Sequence, residues 1–251
     1  MKKQVTKMST TRKIYFLRLI GRCIVFILTV LLYVLCPTEF EIIYGVNFFE
    51  RFSVLHLLWA IWIWDMVLQL IPVRAHISIG SQKQFRALFK PIREKVNYRN
   101  LKKYIIDTTT AAKKVLILWI TLIVILSALN LADVLSSELL FIVSACFYVC
   151  DLVCVLIWCP FRLIMKNKCC TTCRIFNWDH FMMFSPLITV PGFYTWSLLI
   201  FSVVILLIWE FCVFMHPERF WENSNMALKC TECTDKLCTQ YCRKLKKYSE
   251  I

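Results

Sequence analysis

Four stretches of this chain stay apolar too long for a soluble core to absorb: Ile20–Cys36, Ser53–Ile71, Val115–Ala132 and Leu139–Pro160. A helix needs about 20 mostly apolar residues to cross a hydrocarbon core roughly 30 Å thick. A fifth block, Phe176–Met215, is about twice that length and is interrupted by Pro186, Pro191 and Gly192. With 59% of residues hydrophobic and only 18% charged, the chain has too little polar surface to cover a soluble domain of this size. The expected fold class is therefore an all-α, polytopic membrane helix bundle.

The first run follows Lys2, Lys3, Lys7, Arg12 and Lys13, as a signal peptide would. It ends in the bulky Tyr33-Val34-Leu35-Cys36 before Pro37, which lacks the small residues that cleavage requires. The expectation is a retained span.

Basic residues orient the bundle, because Lys and Arg concentrate in short cytoplasmic loops. Residues 1–22 carry seven and 73–114 carry eleven, whereas 37–53 carries only Arg51 and 133–138 carries none. If the last apolar block crosses twice, turning at Pro191-Gly192, 29 basic residues lie inside and one outside. If it crosses once, the division is 22 against 8. The first division is the sharper. It predicts about six spans, near 20–36, 53–71, 115–132, 139–160, 176–190 and 193–215, the fifth short or re-entrant. Residues 1–215 then form the bundle, and 216–251 form a cytoplasmic, cysteine-rich tail. The location expected is the cell (inner or plasma) membrane, multi-pass, with both termini cytoplasmic.

In the basic cytoplasmic loop 73–114, Phe85, Leu88, Phe89, Ile92 and Val96 recur at helical spacing among Lys83, Arg86, Lys90 and Arg93. That pattern suits a helix lying in the headgroup plane, with Pro91 as a kink. The bilayer is the partner this charge implies. Orientation accounts for the whole basic excess, so nucleic acid is not expected, and nothing in the chain specifies a protein partner.

On the predicted cytoplasmic side lie two thiol groups. Cys169, Cys170 and Cys173 form one, in "NKCCTTCRIFNWDHFMMF". Cys230, Cys233, Cys238 and Cys242 form the other, within 13 residues. A reducing compartment favours thiols or metal ligands over disulfides. A Cys-x-x-Cys turn presents two thiolates to one ion, and two such turns complete a four-thiolate site. Cys170/Cys173 with Cys230/Cys233 would serve, or the tail cysteines alone. His180 and His216, at the inner ends of spans, are possible extra ligands. The spacing suits zinc and an iron–sulfur cluster alike.

The strings "KCCTTCRIFNW", "HPERFW" and "CTECTDKLC", with "GSQKQF", resemble a family of bacterial polytopic membrane proteins of unassigned function. The resemblance implies a shared fold and cysteine layout and carries no activity.

Ionisable residues inside spans are costly and mark function. Asp65 lies in the second span and Asp151 in the fourth, where they could pair across helices or bind a cation or proton. Without an intramembrane Lys or Arg beside them, a packing role is the competing expectation. Cys146, Cys150 and Cys154 form a thiol stripe on the fourth span, a pattern that usually packs as small hydrophobes. No Ser-His-Asp, HExxH or phosphate-loop pattern is present, so the enzyme question stays open. Two functions remain: a membrane protein with a cytosolic thiolate centre for redox or electron transfer, or a transporter or membrane-assembly protein with a structural zinc site and Asp65 and Asp151 as its polar heart.

Overall fold

The computed structural model describes residues 9–71, 84–92, 96–166, 173–229 and 237. Among these, all extended regular structure is helical, with only two isolated β-bridges. The α-helices are α1 (Thr10–Leu35), α2 (Asn47–Glu50), α3 (Leu55–Leu70), α4 (Tyr98–Leu131), α5 (Ser137–Leu156), α6 (Arg162–Met165), α7 (Asp179–Phe184) and α8 (Phe193–Met215). Short 3-10 segments cover Pro37–Ile43, Arg174–Trp178, Ser185–Thr189, Pro217–Phe220 and Met226–Leu228.

Four helices, α1, α4, α5 and α8, are long and apolar enough to cross a bilayer. Capping fixes where three of them begin. Ser9 accepts the Arg12 N–H, Asn97 accepts those of Arg99 and Asn100, and Ser136 accepts that of Leu139. Each side-chain oxygen satisfies donors that a helix start would leave unpaired.

Two helices outrun the expected spans. α1 begins ten residues before Ile20, which carries Arg12, Lys13, Arg18 and Arg22 into one continuous helix with the apolar run. α4 has 34 residues, about 51 Å at 1.5 Å per residue, and its first half draws the basic residues Lys102, Lys103, Lys113 and Lys114 out of the expected loop. The interfacial helix expected around Phe85–Val96 is not formed by the described residues of that stretch. Residues 84–92 make a turn instead, in which Phe85 packs on Trp209 and Pro91 bridges to Asn225. Pro91 cannot donate to a helix, and burying Phe85 in the protein competes with laying it on lipid.

The bundle has two ends of opposite charge. At the far end, the connections after α1 and α4 carry Glu39, Glu41, Glu50, Asp133 and Glu138. There the Tyr44 hydroxyl donates to Glu138 at 2.6 Å, and Arg51 pairs with Glu41. At the basic end, Met226 N–H donates to the Lys90 carbonyl, and Trp221 stacks on Tyr104 with ring centroids 5.9 Å apart.

Between these ends runs the expected fifth span, and it is not one regular helix. Arg174–Val190 advances as a 3-10 turn, the six-residue α7 and a second 3-10 turn opened by Pro186. Phe184, Leu187 and Val190 are fully buried against Trp62, Phe141 and Tyr194, so this segment occupies the centre of the bundle. Irregular backbone survives at membrane depth when protein surrounds it and side chains satisfy its polar groups. Here the Trp119 N–H donates to Ser185 Oγ at 2.9 Å, the Ser185 hydroxyl to the Met182 carbonyl, and the Thr195 hydroxyl to the Val190 carbonyl at 2.7 Å.

The segment is clasped at the far end. Gly45 N–H donates to the Pro191 carbonyl at 2.8 Å, and Phe193 N–H to the Gly45 carbonyl at 2.9 Å. Gly45 holds a left-handed φ of 52°. A Cβ on Gly192 would lie 1.9 Å from the Ile43 carbonyl oxygen, so only glycine permits this approach.

By contrast, the peripheral helices face outward. Only 6% of the apolar window of α4 is buried within the protein, and Ile117, Val124, Leu207, Phe211 and Phe214 are exposed. This apolar exterior is what lipid contact requires and what a soluble bundle avoids.

Candidate functional site

Arg22 organises the interior. It stands on the face of α1 that also carries Tyr15, Arg18 and Leu19, spaced to point one way on a helix. Its guanidinium donates to the Tyr148 carbonyl at 2.7 Å and to Asp151 Oδ2 at 2.8 Å. A second nitrogen lies 3.5 Å from Asp65 Oδ2, and the group sits over the Tyr148 ring, 3.8 Å from its centroid. The Tyr148 hydroxyl in turn donates to Asp65 Oδ2 at 2.6 Å. One cation thus holds two carboxylates from different helices, and a planar guanidinium, unlike an ammonium, can fork between them.

Asp65 and Asp151 are therefore brought together, as a polar heart would require. The absence of an intramembrane basic residue is overturned. Arg22 belongs both to the basic count of residues 1–22 and to the first turn of the run Ile20–Cys36, and α1 places its guanidinium inside the bundle.

A second polar group adjoins the first. Asp65 and Gln69 are one turn apart on α3, so Gln69 also points inward. Its amide donates to Asp179 Oδ1 at 3.1 Å. The same oxygen accepts the His180 backbone N–H at 2.8 Å and lies 2.9 Å from His180 Nδ1. His180, a possible extra metal ligand by the sequence reading, is a buried partner of Asp179, and its Nε2 has no hydrogen-bond partner among the described residues. Tyr15, Arg18, Arg22, Asp65, Gln69, Asp151, Asp179 and His180 line a pocket of about 50 Å³.

Asp151 and Asp179 also form the inner wall of a larger, mostly apolar cavity of about 270 Å³ between α4, α5 and the broken segment. Cys150, Cys154, Cys159 and Cys173 contribute to its lining with Met182 and Met183. The thiol stripe on α5 is thus turned partly to this cavity.

At the basic end a clamp fixes the start of the segment. The Arg174 guanidinium pairs with Glu210 and donates to Thr109, while the Trp178 N–H donates to Glu210 Oε1 at 2.7 Å. Glu210 is held by these partners, and Trp178 is buried. His216 lies 3.4 Å from Glu218 on a half-exposed turn.

Of the seven thiolate candidates only Cys173 is among the described residues. It is buried beside Met165, Ile175, Trp178 and Met182. Cys169, Cys170, Cys230, Cys233, Cys238 and Cys242 lie outside them. Among the described residues no group of three or more His, Cys, Asp or Glu side chains is arranged to hold a metal ion.

Sequence reasoning missed Arg22, Tyr148 and Gln69. For Arg22 a signal is present in "YFLRLIGRCIVF", where Tyr15, Arg18 and Arg22 share one helical face that leads into the apolar run.

The fold and this buried network define an all-helical membrane bundle with an ionisable interior. Comparison with protein-family models, with curated proteins and with solved structures finds no match to the chain.

Proposed function

We propose that this chain is a six-crossing protein of the cell membrane, with both termini on the cytoplasmic side, that binds and releases protons within the bilayer as part of transport. The observation that carries this reading is the network in which Arg22 bridges Asp65 and Asp151, with Asp179 and His180 adjoining. Charged groups placed inside a membrane bundle cost several kcal/mol, and chains of Asp and His are how pumps and transporters relay protons. The opposed charge of the two ends and the central, fully packed course of residues 174–190 support six crossings.

The test is a pH jump applied to the full chain in proteoliposomes on a supported membrane. Wild type gives a transient displacement current, and Asp65→Asn and Asp151→Asn each reduce it several-fold. A wild-type trace equal to that of empty liposomes removes the reading.

A cytosolic thiolate centre is the second reading, and one contact favours it. Leu237, next to Cys238, packs with Tyr15, Leu152 and Val155 beside Phe176, three residues after Cys173. Leu237 is thus held against α1 and α5 beside the segment that follows Cys173. Anaerobically purified protein would carry iron and sulfide with visible absorption, or stoichiometric zinc without colour. If neither metal is found and all seven cysteines can be replaced by Ser without effect, this reading fails.

A further inference from the structure

We infer that the apolar cavity between α4, α5 and the broken segment is the binding site of a lipophilic organic cation, its positive group seated at Asp151 and Asp179. This rests on reading the buried network as a transport centre, and it names what that centre carries.

The cavity has the form of a ligand site, a mostly apolar wall with a few placed polar groups. Trp119, Phe147 and Phe161 make one side of it, the two phenyl rings 5.0 and 6.3 Å from the indole, centroid to centroid. The indole is held in place by its bond to Ser185 at 2.9 Å. Met182 and Met183 of the broken segment also line the space. An unbranched, polarizable thioether adapts to irregular apolar shapes. One water-sized group takes about 10–15 Å³ of such space. The 270 Å³ here therefore has room for a body of roughly 20 non-hydrogen atoms.

The way in is from the bilayer. Cys150 and Pro160 line the cavity and are exposed, so it opens on the outer surface of the bundle. Ile157 and Trp158, on the stretch between them, are exposed as well. An opening among exposed apolar side chains admits what dissolves in lipid and turns away hydrated ions.

Charge selects a cation. Among the described residues that line the cavity, Asp151 and Asp179 are the only charged ones. Asp151 uses Oδ2 to hold Arg22, and Asp179 uses Oδ1 for Gln69 and His180. The second oxygen of each has no hydrogen-bond partner among the described residues. A carboxylate oxygen against apolar space is costly unless an opposite charge or a donor meets it. An anion would meet like charge, and a neutral apolar body would leave both oxygens unmet. Ring faces attract cations too, so the aromatic side and the acidic end favour the same guest. Among the described residues the thiols of the lining form no metal-holding group with these acids. The guest is therefore organic rather than a metal ion. Asp151 is common to this cavity and to the Arg22 network. A cation seated against it acts on the same carboxylate that Arg22 holds, which joins the cargo to the ionisable interior.

The experiment is equilibrium dialysis of radiolabelled methyltriphenylphosphonium against the full chain in lipid nanodiscs, with the uptake of empty discs subtracted. The expected result is saturable binding. Unlabelled triphenylethane, the neutral molecule of the same shape with carbon in place of phosphorus, should compete about tenfold less well than the unlabelled cation. Cys150→Trp fills the mouth from an exposed position and should weaken binding by about tenfold. Binding that does not saturate, a neutral competitor as good as the cation, or undiminished binding to Cys150→Trp overturns the proposal. The competition needs no variant, so it decides even where Cys150→Trp fails to fold. The two readings fail separately. No saturable binding with an intact displacement current removes only the cargo, and saturable, cation-selective binding with no current removes only the proton reading.

Discussion

Arg22 is shared between two carboxylates and an aromatic face, so its loss and its pairwise replacement should differ in kind. Arg22→Met leaves Asp151 buried without a counter-charge and is expected to lower stability by about 3–5 kcal/mol. Reversible unfolding by a denaturing detergent would measure this. Arg22→Lys should recover only part, because an ammonium cannot fork between Asp65 and Asp151. The double variant Arg22→Met/Asp151→Leu should recover at least half, since removing both charges also removes the desolvation that opposed them. A double variant as unstable as Arg22→Met would mean that the pair stabilises by geometry rather than by mutual neutralisation. Asp65 would remain satisfied in that variant by the Tyr148 hydroxyl at 2.6 Å.

At the scale of elements, the clasp between Gly45 and Gly192 fixes where the central segment turns into α8. Gly192→Ala forces a Cβ into the Ile43 carbonyl and should cost about 1–3 kcal/mol as an overpacked contact. Gly21→Ala, within α1 and with no atom near its added Cβ, should be neutral or raise stability by about 0.5–1 kcal/mol. Thermal melts of the two variants side by side separate close approach from simple glycine flexibility. Close by, burial first and then its bond to Glu138 push the Tyr44 phenol up to about 12. Its folded value lies above its unfolded one, so the stability it contributes is complete below pH 10 and lost as the pH rises towards 12. Tyr44→Phe should flatten the alkaline fall of the melting temperature in that window.

What the sequence made legible divides by element. The span at 193–215 coincides with α8, and 53–71 lies within a residue or two of α3, because nothing but apolar periodicity decides them. α1 and α4 extended further because a helix continues into water once a cap and good helix formers allow it, which an apolar window does not register. The 174–190 course was legible only as an interruption. Its prolines announced a break, while its central position depends on Trp62, Phe141 and Tyr194 from three other helices. The site shows the same division. Asp65 and Asp151 stood out as acids in apolar runs, whereas Arg22 and Gln69 matter through partners more than forty residues away.

For the whole molecule, orientation is the decisive measurement. On the six-crossing reading, a reporter fused after Tyr248 reads cytoplasmic, and one inserted between Asp133 and Ser136 reads external. An external signal after Tyr248 would separate the two thiol groups and end the idea of a joint metal site.

The central segment also bears on how such a chain could be made. From Arg174 to Val190, Ile188 is the one residue substantially exposed, and Asn177, Asp179, His180 and Ser185 all point into protein. A translocation channel passes helices to lipid by their surface, and this stretch has almost no surface suited to lipid. Its place is made by neighbours, including α8, which the ribosome delivers after it. On the six-crossing reading, a nascent chain halted before Phe193 should therefore hold residues 174–190 on the cytoplasmic side, open to a membrane-impermeant label, until α8 emerges and the two enter together.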